Sequence, residues 1–120
     1  MANAGYDVWM ANNRGTRWSN QHTDPNISEF DYWQFEWEDM GMKDDTAVID
    51  YILKVNGASQ ITYVGHSEGT AQILAASTLI PEYFNSKIKA CVLLGPPAAV
   101  AHIQSKLMQF LASPHIIGYV

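Results

Sequence analysis

The chain has 120 residues, the length of one ordinary domain. Hydrophobic residues make up 48% of it and charged residues 16%, so it can bury a core and lacks the composition of a disordered protein. Lys and Arg total 7 against 12 Asp and Glu, which gives a formal net charge of −5. Because no basic stripe is available to neutralise phosphates, the composition argues against nucleic acid as a partner.

Neither a disulfide framework nor a targeting segment is visible. Cys91 is the single cysteine, and the apolar run around it predicts a small buried hydrophobic residue. The first residues lack the basic and apolar regions of a signal peptide. No window approaches the ~18 consecutive apolar residues of a membrane span. The residues by themselves therefore leave the compartment open.

The first half of the chain predicts a strand, a loop and a helix. Residues 6–10 form a short β-prone run that leads into a loop, and residues 19–31 are polar and contain a turn. A helix is predicted from about Asp44 to Gly57, with acids at its start and glycine just past its end. Its apolar face is predicted from the spacing of Val48, Tyr51, Ile52 and Val55.

The second half predicts strand, helix and strand. Residues 61–64 are β-branched and aromatic, residues 70–78 read as a helix that stops before Pro81, and residues 88–94 are continuously apolar, as in a strand buried on both faces. This alternation predicts an α/β fold with parallel strands joined by crossover helices. Three strands alone would leave two open edges, so we expect the middle part of a larger sheet.

A Gly-x-Ser-x-Gly motif, Gly65-His66-Ser67-Glu68-Gly69, lies between a predicted strand and a predicted helix. This is the context of a nucleophile elbow, in which strained backbone lifts the serine hydroxyl clear of the sheet. We expect Gly65 and Gly69 to be glycines because side chains there would collide with the tight turn or a neighbouring strand. The following helix directs its free N–H groups toward the oxygen that becomes charged in acyl transfer.

A serine nucleophile needs a base and an orienting acid, which in this fold follow it in the order acid, then histidine. His102 and His115 follow Ser67, and Glu82 is the acid between the Gly-x-Ser-x-Gly motif and His102. Glu82 comes before the next strand, earlier than the acid is expected, so we disfavour this constellation without discarding it. His66 is expected to point to the opposite side of the turn, and His22 to be solvated in the polar loop.

Several blocks of the chain belong together: residues 4–9 (AGYDVW), 12–19 (NNRGTRWS), 35–41 (FEWEDMG), 47–53 (AVIDYIL), 63–67 (YVGHS) and 94–96 (LGP). Together these segments resemble the acid lipases, the gastric and lysosomal triacylglycerol and cholesteryl-ester lipases. They follow the family's order and spacing over residues 2 to about 100. The chain departs from the family at Glu68, where glutamine is usual, and at Ala11, where glycine is usual.

The resemblance implies a serine ester hydrolase that needs no cofactor and no metal, with Ser67 as nucleophile and the backbone N–H of Glu68 as an oxyanion donor. It implies a lipid ester as substrate, a triacylglycerol or a sterol ester, with transient contact to a lipid surface, and a lysosomal or secreted location. It also implies that residues 1–120 are a partial domain, inactive alone. The oxyanion loop would precede Met1, while the cap, which residues 101–120 would enter, and the catalytic Asp and His would follow Val120.

Two further features keep alternatives open. The fold also permits a thioesterase or peptidase, and a truncated or pseudo-enzyme would serve only as a binding or structural module. The carboxylate of Glu68 either opposes charge on the oxyanion or swings into water.

Arg14 and Gly15 are expected to be scaffold residues. Asn26-Ile27-Ser28 matches an N-glycosylation acceptor, which matters if the protein is secreted.

Overall fold

The computed structural model describes residues 1–97 and 104–106. A short 3₁₀ helix (Ala2–Ala4) and a long irregular segment precede the main elements. These are α1 (Glu29–Tyr32), α2 (Trp37–Asp39), a π-helix (Met40–Asp45), α3 (Thr46–Asn56), β1 (Ile61–His66), α4 (Glu68–Leu79), α5 (Pro81–Lys87) and β2 (Ile88–Leu94). None of the helices in this part of the chain has the length and hydropathy needed to span a bilayer.

The sheet in the described residues has two parallel strands, β1 and β2. Their register pairs Val64 with Val92 and His66 with Leu94, after a shift near Ile61. The helices α4 and α5 form the crossover between the strands. The prediction of parallel strands joined by a helical crossover is therefore confirmed for the second half of the chain.

A small apolar core packs α3, α4 and α5 against one face of the sheet. Its buried members are Ile49, Ile73, Ala76 and Phe84, and strand residues such as Leu93 pack against them. The π-helix crosses α4 closely at a glycine. A Cβ on Gly41 would lie 2.5 Å from the carbonyl oxygen of Gln72 and 2.7 Å from the Cβ of Ala76, so no larger residue fits without movement.

The strand predicted at residues 6–10 is absent. This segment runs without regular structure, and Tyr6 and Met10 are exposed. Its β propensity is real, but a strand needs a neighbouring backbone to complete its hydrogen bonds. No described strand lies beside it, so the prediction is wrong for this structure.

The prediction that residues 88–94 are buried on both faces is also wrong. The strand forms, but most of β2 is exposed, including Val92 and Cys91, because no described element covers its second face. Cys91 is therefore not the buried hydrophobic residue we expected. Burial of its surroundings is still enough to raise the pKa of its thiol.

The long helix begins and ends near its predicted limits, but its buried face only partly overlaps the predicted one: Ile52 is buried as expected and Val48 is half-buried. Gly57 adopts the left-handed conformation (φ 71°) that ends α3, as predicted. The buried side chains are Ile49 and Ile52, whereas Tyr51 and Val55 are exposed. The spacing of apolar residues identified a helix, but Ile49 faces the core because α4 and α5 lie on its side.

Helix α5 was not predicted. Pro81 was expected to end the preceding helix, and α4 does end at Leu79, with Ile80 between the two helices. Proline at the first position of α5 then starts a new helix, where its missing N–H is not needed. Glu82 consequently lies in the first turn of a helix.

Candidate active site

Ser67 lies at the junction of β1 and α4, in a backbone conformation that is unusual for a residue with a side chain. Its φ is 50° and its ψ is −113°, and it is the one non-glycine residue with positive φ among those that the structure describes. Such a conformation costs of order 1–3 kcal/mol and persists only where the surrounding structure imposes it. The sharp turn from strand to helix predicted from the motif is therefore present.

The backbone of Ser67 is held on both sides. Its N–H donates to the carbonyl oxygen of Leu94 at the end of β2, at 2.9 Å. Its carbonyl oxygen accepts two bonds from Thr70, one from the backbone N–H at 2.9 Å and one from Oγ1 at 2.6 Å. The side chain is exposed, and no hydrogen bond joins Ser67 Oγ to another residue in the described part of the chain. The hydroxyl is thus free while its backbone is fixed.

The two motif glycines differ in how tightly they are enclosed. A Cβ on Gly65 would lie 2.9 Å from the carbonyl oxygen of Gly69 and 3.0 Å from Cε1 of Tyr63. That is closer than real Cβ atoms approach backbone, so the steric expectation holds at Gly65. A Cβ on Gly69 would meet only Oη of Tyr63, at 3.6 Å, which is an ordinary contact. The expected collision at Gly69 is absent among the described residues because no neighbouring strand lies there.

A chain of side-chain amides fixes the carboxylate of Glu68. Nε2 of Gln72 donates to Oε1 of Glu68 at 3.0 Å, and Nδ2 of Asn13 donates to Oε1 of Gln72 at 2.6 Å. Gln72 is buried and its Nε2 also contacts Sδ of Met40 at 3.5 Å. The carboxylate of Glu68 is therefore bonded to a residue one turn further along α4. Sequence reasoning missed this network; its signal was a glutamine within an otherwise small and apolar helix.

A second buried polar group lies beneath the elbow. Oη of Tyr63 lies 2.8 Å from the carbonyl oxygen of Gly69 and 3.3 Å from Oδ2 of Asp45. Asp45 is only 5% exposed. Its burial, opposed by the hydrogen bond from Tyr63 and reinforced by the nearby charge of Asp44, raises its pKa to about 6. Burial and the neighbouring Asp45 also raise the pKa of Tyr63.

The sequence predicts the same role for Asp44 and Asp45, as acids at the start of a helix, but their environments in the structure differ. Asp44 binds Arg14 through its guanidinium, with Nη2 at 2.6 Å and Nε at 2.9 Å, and also accepts from the backbone N–H of Arg14 at 2.9 Å. The guanidinium also lies 5.7 Å from the ring centroid of Phe35. Arg14 thus ties the irregular segment to the π-helix, as expected of a scaffold residue.

Of the histidines and acids considered as partners for Ser67, those in the described residues form no hydrogen bond with its hydroxyl. His66 is exposed at the end of β1, and its ring forms no hydrogen bond with the hydroxyl of Ser67. Nδ1 of His22 accepts from the backbone N–H of Asp24 at 3.0 Å. Glu82 is exposed on α5. His102 and His115 lie outside the described residues. Within the described residues, no base or acid is therefore hydrogen-bonded to the hydroxyl of the elbow serine.

The same part of the chain offers little else as a candidate site. No group of three or more His, Cys, Asp or Glu residues there could hold a metal ion. Two surface cavities of about 430 and 470 Å³ lie along the irregular segment, and both include His22 and Tyr32 in their walls. Ser67 lines neither of them.

Residues 1–115 match the family model for the alpha/beta hydrolase fold. The chain belongs to the α/β-hydrolase fold family. It is 40% identical over 118 residues to human "Lysosomal acid lipase/cholesteryl ester hydrolase" and 39% identical over 117 residues to human "Lipase member M", in each case over 98% of this chain. It is 44% identical over 112 residues to "Lipase 3" of Drosophila melanogaster, over 93% of this chain.

These alignments cover 29%, 27% and 28% of the three relatives, respectively, so the chain spans little more than a quarter of their length. The resemblance to the acid lipases that was inferred from the sequence is confirmed. In this family the strand–turn–helix around Gly-x-Ser-x-Gly is the place where a nucleophile is expected, and Ser67 occupies it here.

Proposed function

We propose that the whole protein hydrolyses carboxylic esters of lipids through an acyl-enzyme on Ser67. The observation that carries this proposal is the strained backbone of Ser67 between β1 and α4, with its hydroxyl exposed and unbonded among the described residues. The similarity to proteins named as lipases supports the same reaction.

In this mechanism Ser67 Oγ attacks the ester carbonyl while a base takes its proton. The developing oxyanion accepts a hydrogen bond from the backbone N–H of Glu68, which lies in the first turn of α4 and has no partner within the helix. The alcohol leaves with the proton returned by the base, and water then releases the acid from the acyl-enzyme. No cofactor or metal takes part in these steps.

The substrate we propose is a triacylglycerol or a sterol ester, encountered at a lipid surface. One relative is named as a cholesteryl ester hydrolase, which supports sterol esters as one class to be tested. We also propose a lysosomal or secreted location for the whole protein, of which the relative's name supports the lysosomal one. The base and acid are a histidine and a carboxylate outside residues 1–97.

The proposal is tested by comparing Ser67→Ala with wild type in the whole protein. A fluorophosphonate probe should label wild type covalently, and Ser67→Ala should lose both labelling and ester turnover while its melting temperature stays near that of wild type. Ser77→Ala is the matched control, because Ser77 lies on the same helix and its hydroxyl only donates to the carbonyl oxygen of Leu74.

The outcomes separate the proposal from its rivals. Turnover retained by Ser67→Ala would remove Ser67 as the nucleophile. Labelling of Ser67 with hydrolysis of thioesters or peptides, and not of lipid esters, would move the protein to another activity of the same fold. Absence of labelling in a folded wild-type protein would indicate a binding or structural module.

A further inference from the structure

The buried carboxyl of Asp45 shares one hydroxyl with the elbow. Oη of Tyr63 lies between Oδ2 of Asp45 at 3.3 Å and the carbonyl oxygen of Gly69 at 2.8 Å. Asp45 belongs to the π-helix, Tyr63 to β1 and Gly69 to the first turn of α4. Three elements therefore meet at one phenol oxygen, on the inner side of the turn that carries Ser67.

The proton count at this oxygen depends on the state of Asp45. A phenol has one proton to donate, and the carbonyl of Gly69 is always an acceptor. When the carboxyl is ionised it is also an acceptor, so the two oxygens compete for one proton and one contact is left without a hydrogen. When the carboxyl is protonated it donates to Oη of Tyr63, and the phenol donates to Gly69 without competition.

The contact from Tyr63 to Gly69 spans the elbow. Tyr63 precedes Ser67 by four residues and Gly69 follows it by two, so this hydrogen bond closes the strand–turn–helix from inside. The carbonyl oxygen of Gly69 is also the atom against which Gly65 is packed without room for a Cβ. A shift of this carbonyl therefore moves the first turn of α4 and, with it, the backbone that sets the position of Ser67.

Few other charged groups act on Asp45 and Tyr63. Asp44 adjoins Asp45 and its charge disfavours a second carboxylate, although Asp44 is itself paired with Arg14 of the irregular segment. The thiol of Cys91 on β2 acts on Tyr63. The remaining ionisable groups on the helices and strand packed against the π-helix are Glu38 and Asp39 on α2, Asp50, Tyr51 and Lys54 on α3, His66 on β1 and Glu68 on α4. Asp39 is paired with Lys43, Asp50 with Lys87, and Glu68 is bonded to Gln72.

We propose that Asp45 is a positioning residue for Ser67: its protonated carboxyl donates to Tyr63, which commits the phenol proton to the Gly69 carbonyl and holds the first turn of α4 against β1. This inference rests on the function proposed for Ser67. The pKa of Asp45, raised by burial to about 6, makes the protonated form dominant in acidic solution and the ionised form dominant at neutral pH. The elbow is accordingly best ordered in acid and loosens as the pH rises.

The test uses Asp45→Asn in the whole protein, because an asparagine amide donates to Oη of Tyr63 at every pH. kcat and KM for a soluble short-chain ester are measured from pH 4.5 to pH 8 in wild type, Asp45→Asn, Tyr63→Phe and the control Glu29→Gln, which changes an exposed carboxylate on α1. We expect the ratio of kcat in Asp45→Asn to kcat in wild type to rise severalfold across this range, with its midpoint near pH 6 and KM unchanged. Tyr63→Phe should have a lower kcat than wild type at all pH values. The ratio of kcat in the double variant Tyr63→Phe/Asp45→Asn to kcat in Tyr63→Phe should not rise with pH.

A ratio of Asp45→Asn to wild type that is constant from pH 4.5 to pH 8 would overturn the proposal. A second measurement does not need activity. It compares amide hydrogen exchange of residues 63–73 between wild type and Asp45→Asn, with both proteins at the same pH. Wild type should exchange faster than Asp45→Asn at pH 7.5 and equally at pH 5, and equal exchange at both would also overturn it. If the exchange difference is found but Ser67→Ala still turns over ester, the proposed function has failed and the coupling of Asp45 to the elbow has not.

Discussion

The stability of the protein should depend on pH through Asp45. The folded state raises the pKa of this carboxyl from its ordinary value of 3.8 to about 6. The folded protein therefore holds the proton more tightly than the unfolded chain, and the stability that comes from the neutral carboxyl is complete below pH 4 and lost as the pH rises through 6. The difference between these two pKa values corresponds to about 3 kcal/mol in the free energy of unfolding. Because Asp45 is only 5% exposed, solvent screening reduces this figure little.

Asparagine at this position has no proton to lose, so Asp45→Asn should remove this pH dependence. We expect the free energy of unfolding of Asp45→Asn, relative to wild type, to increase by about 3 kcal/mol between pH 4 and pH 7.5. The measurement is urea unfolding of both proteins at unit steps of pH, with the midpoint and slope fitted separately. Glu29→Gln should follow wild type within error. Parallel stability curves for wild type and Asp45→Asn would refute the assignment of a raised pKa to Asp45.

Three further predictions concern the elbow and the loop before it. Because Gln72 holds the carboxylate of Glu68 along the helix, Glu68→Gln should change kcat at neutral pH by less than about threefold. In a Gln72→Met background, which frees the carboxylate, Glu68→Gln should change kcat by more. A large rise of kcat on Glu68→Gln in the wild-type background would contradict the restraint of Glu68 by Gln72. Gly65→Ala should lower the free energy of unfolding by about 1–3 kcal/mol because its Cβ meets backbone. Gly69→Ala, whose Cβ meets only Tyr63 at 3.6 Å, should not destabilise the protein. Equal losses of unfolding free energy for the two variants, measured by urea unfolding, would refute this difference. When the whole protein is made in a secretory cell, Asn26, which is exposed, should carry an N-glycan. The mass that wild type loses on treatment with peptide N-glycosidase should be larger, by one glycan, than the mass that Asn26→Gln loses. Identical masses of wild type before and after treatment would contradict this prediction.

The sequence was sufficient for those parts of the fold that depend on local rules. The motif around Ser67 predicted a strand–turn–helix because glycine at position 65 and the flanking β and helical patterns constrain the chain within a few residues. Gly57 ends α3 for the same reason, since only its own conformation is involved. The parallel pairing of β1 and β2 followed from the helical crossover between them.

Features that depend on distant contacts were missed. Asp45 and Asp44 are neighbours with the same side chain, and only the packing of the π-helix on β1 makes one a buried partner of Tyr63 and leaves the other to Arg14. Likewise, Gln72 stands out in a helix of mostly small and apolar residues, but nothing local shows that it bonds Asn13 across 59 residues of chain. The strand expected at residues 6–10 had the right composition but no neighbour.

The two hydrogen bonds that Thr70 makes to the carbonyl oxygen of Ser67 also fix an atom that Thr70 does not touch. The peptide group between Ser67 and Glu68 is planar, so a carbonyl clamped toward the body of α4 aims the N–H of Glu68 in the opposite direction, out of the helix start. Thr70 is fully buried, which keeps water from replacing either bond. The direction of this N–H is thus set when the chain folds, and in the proposed mechanism the peptide plane needs no rotation before the N–H can donate to the substrate's carbonyl oxygen.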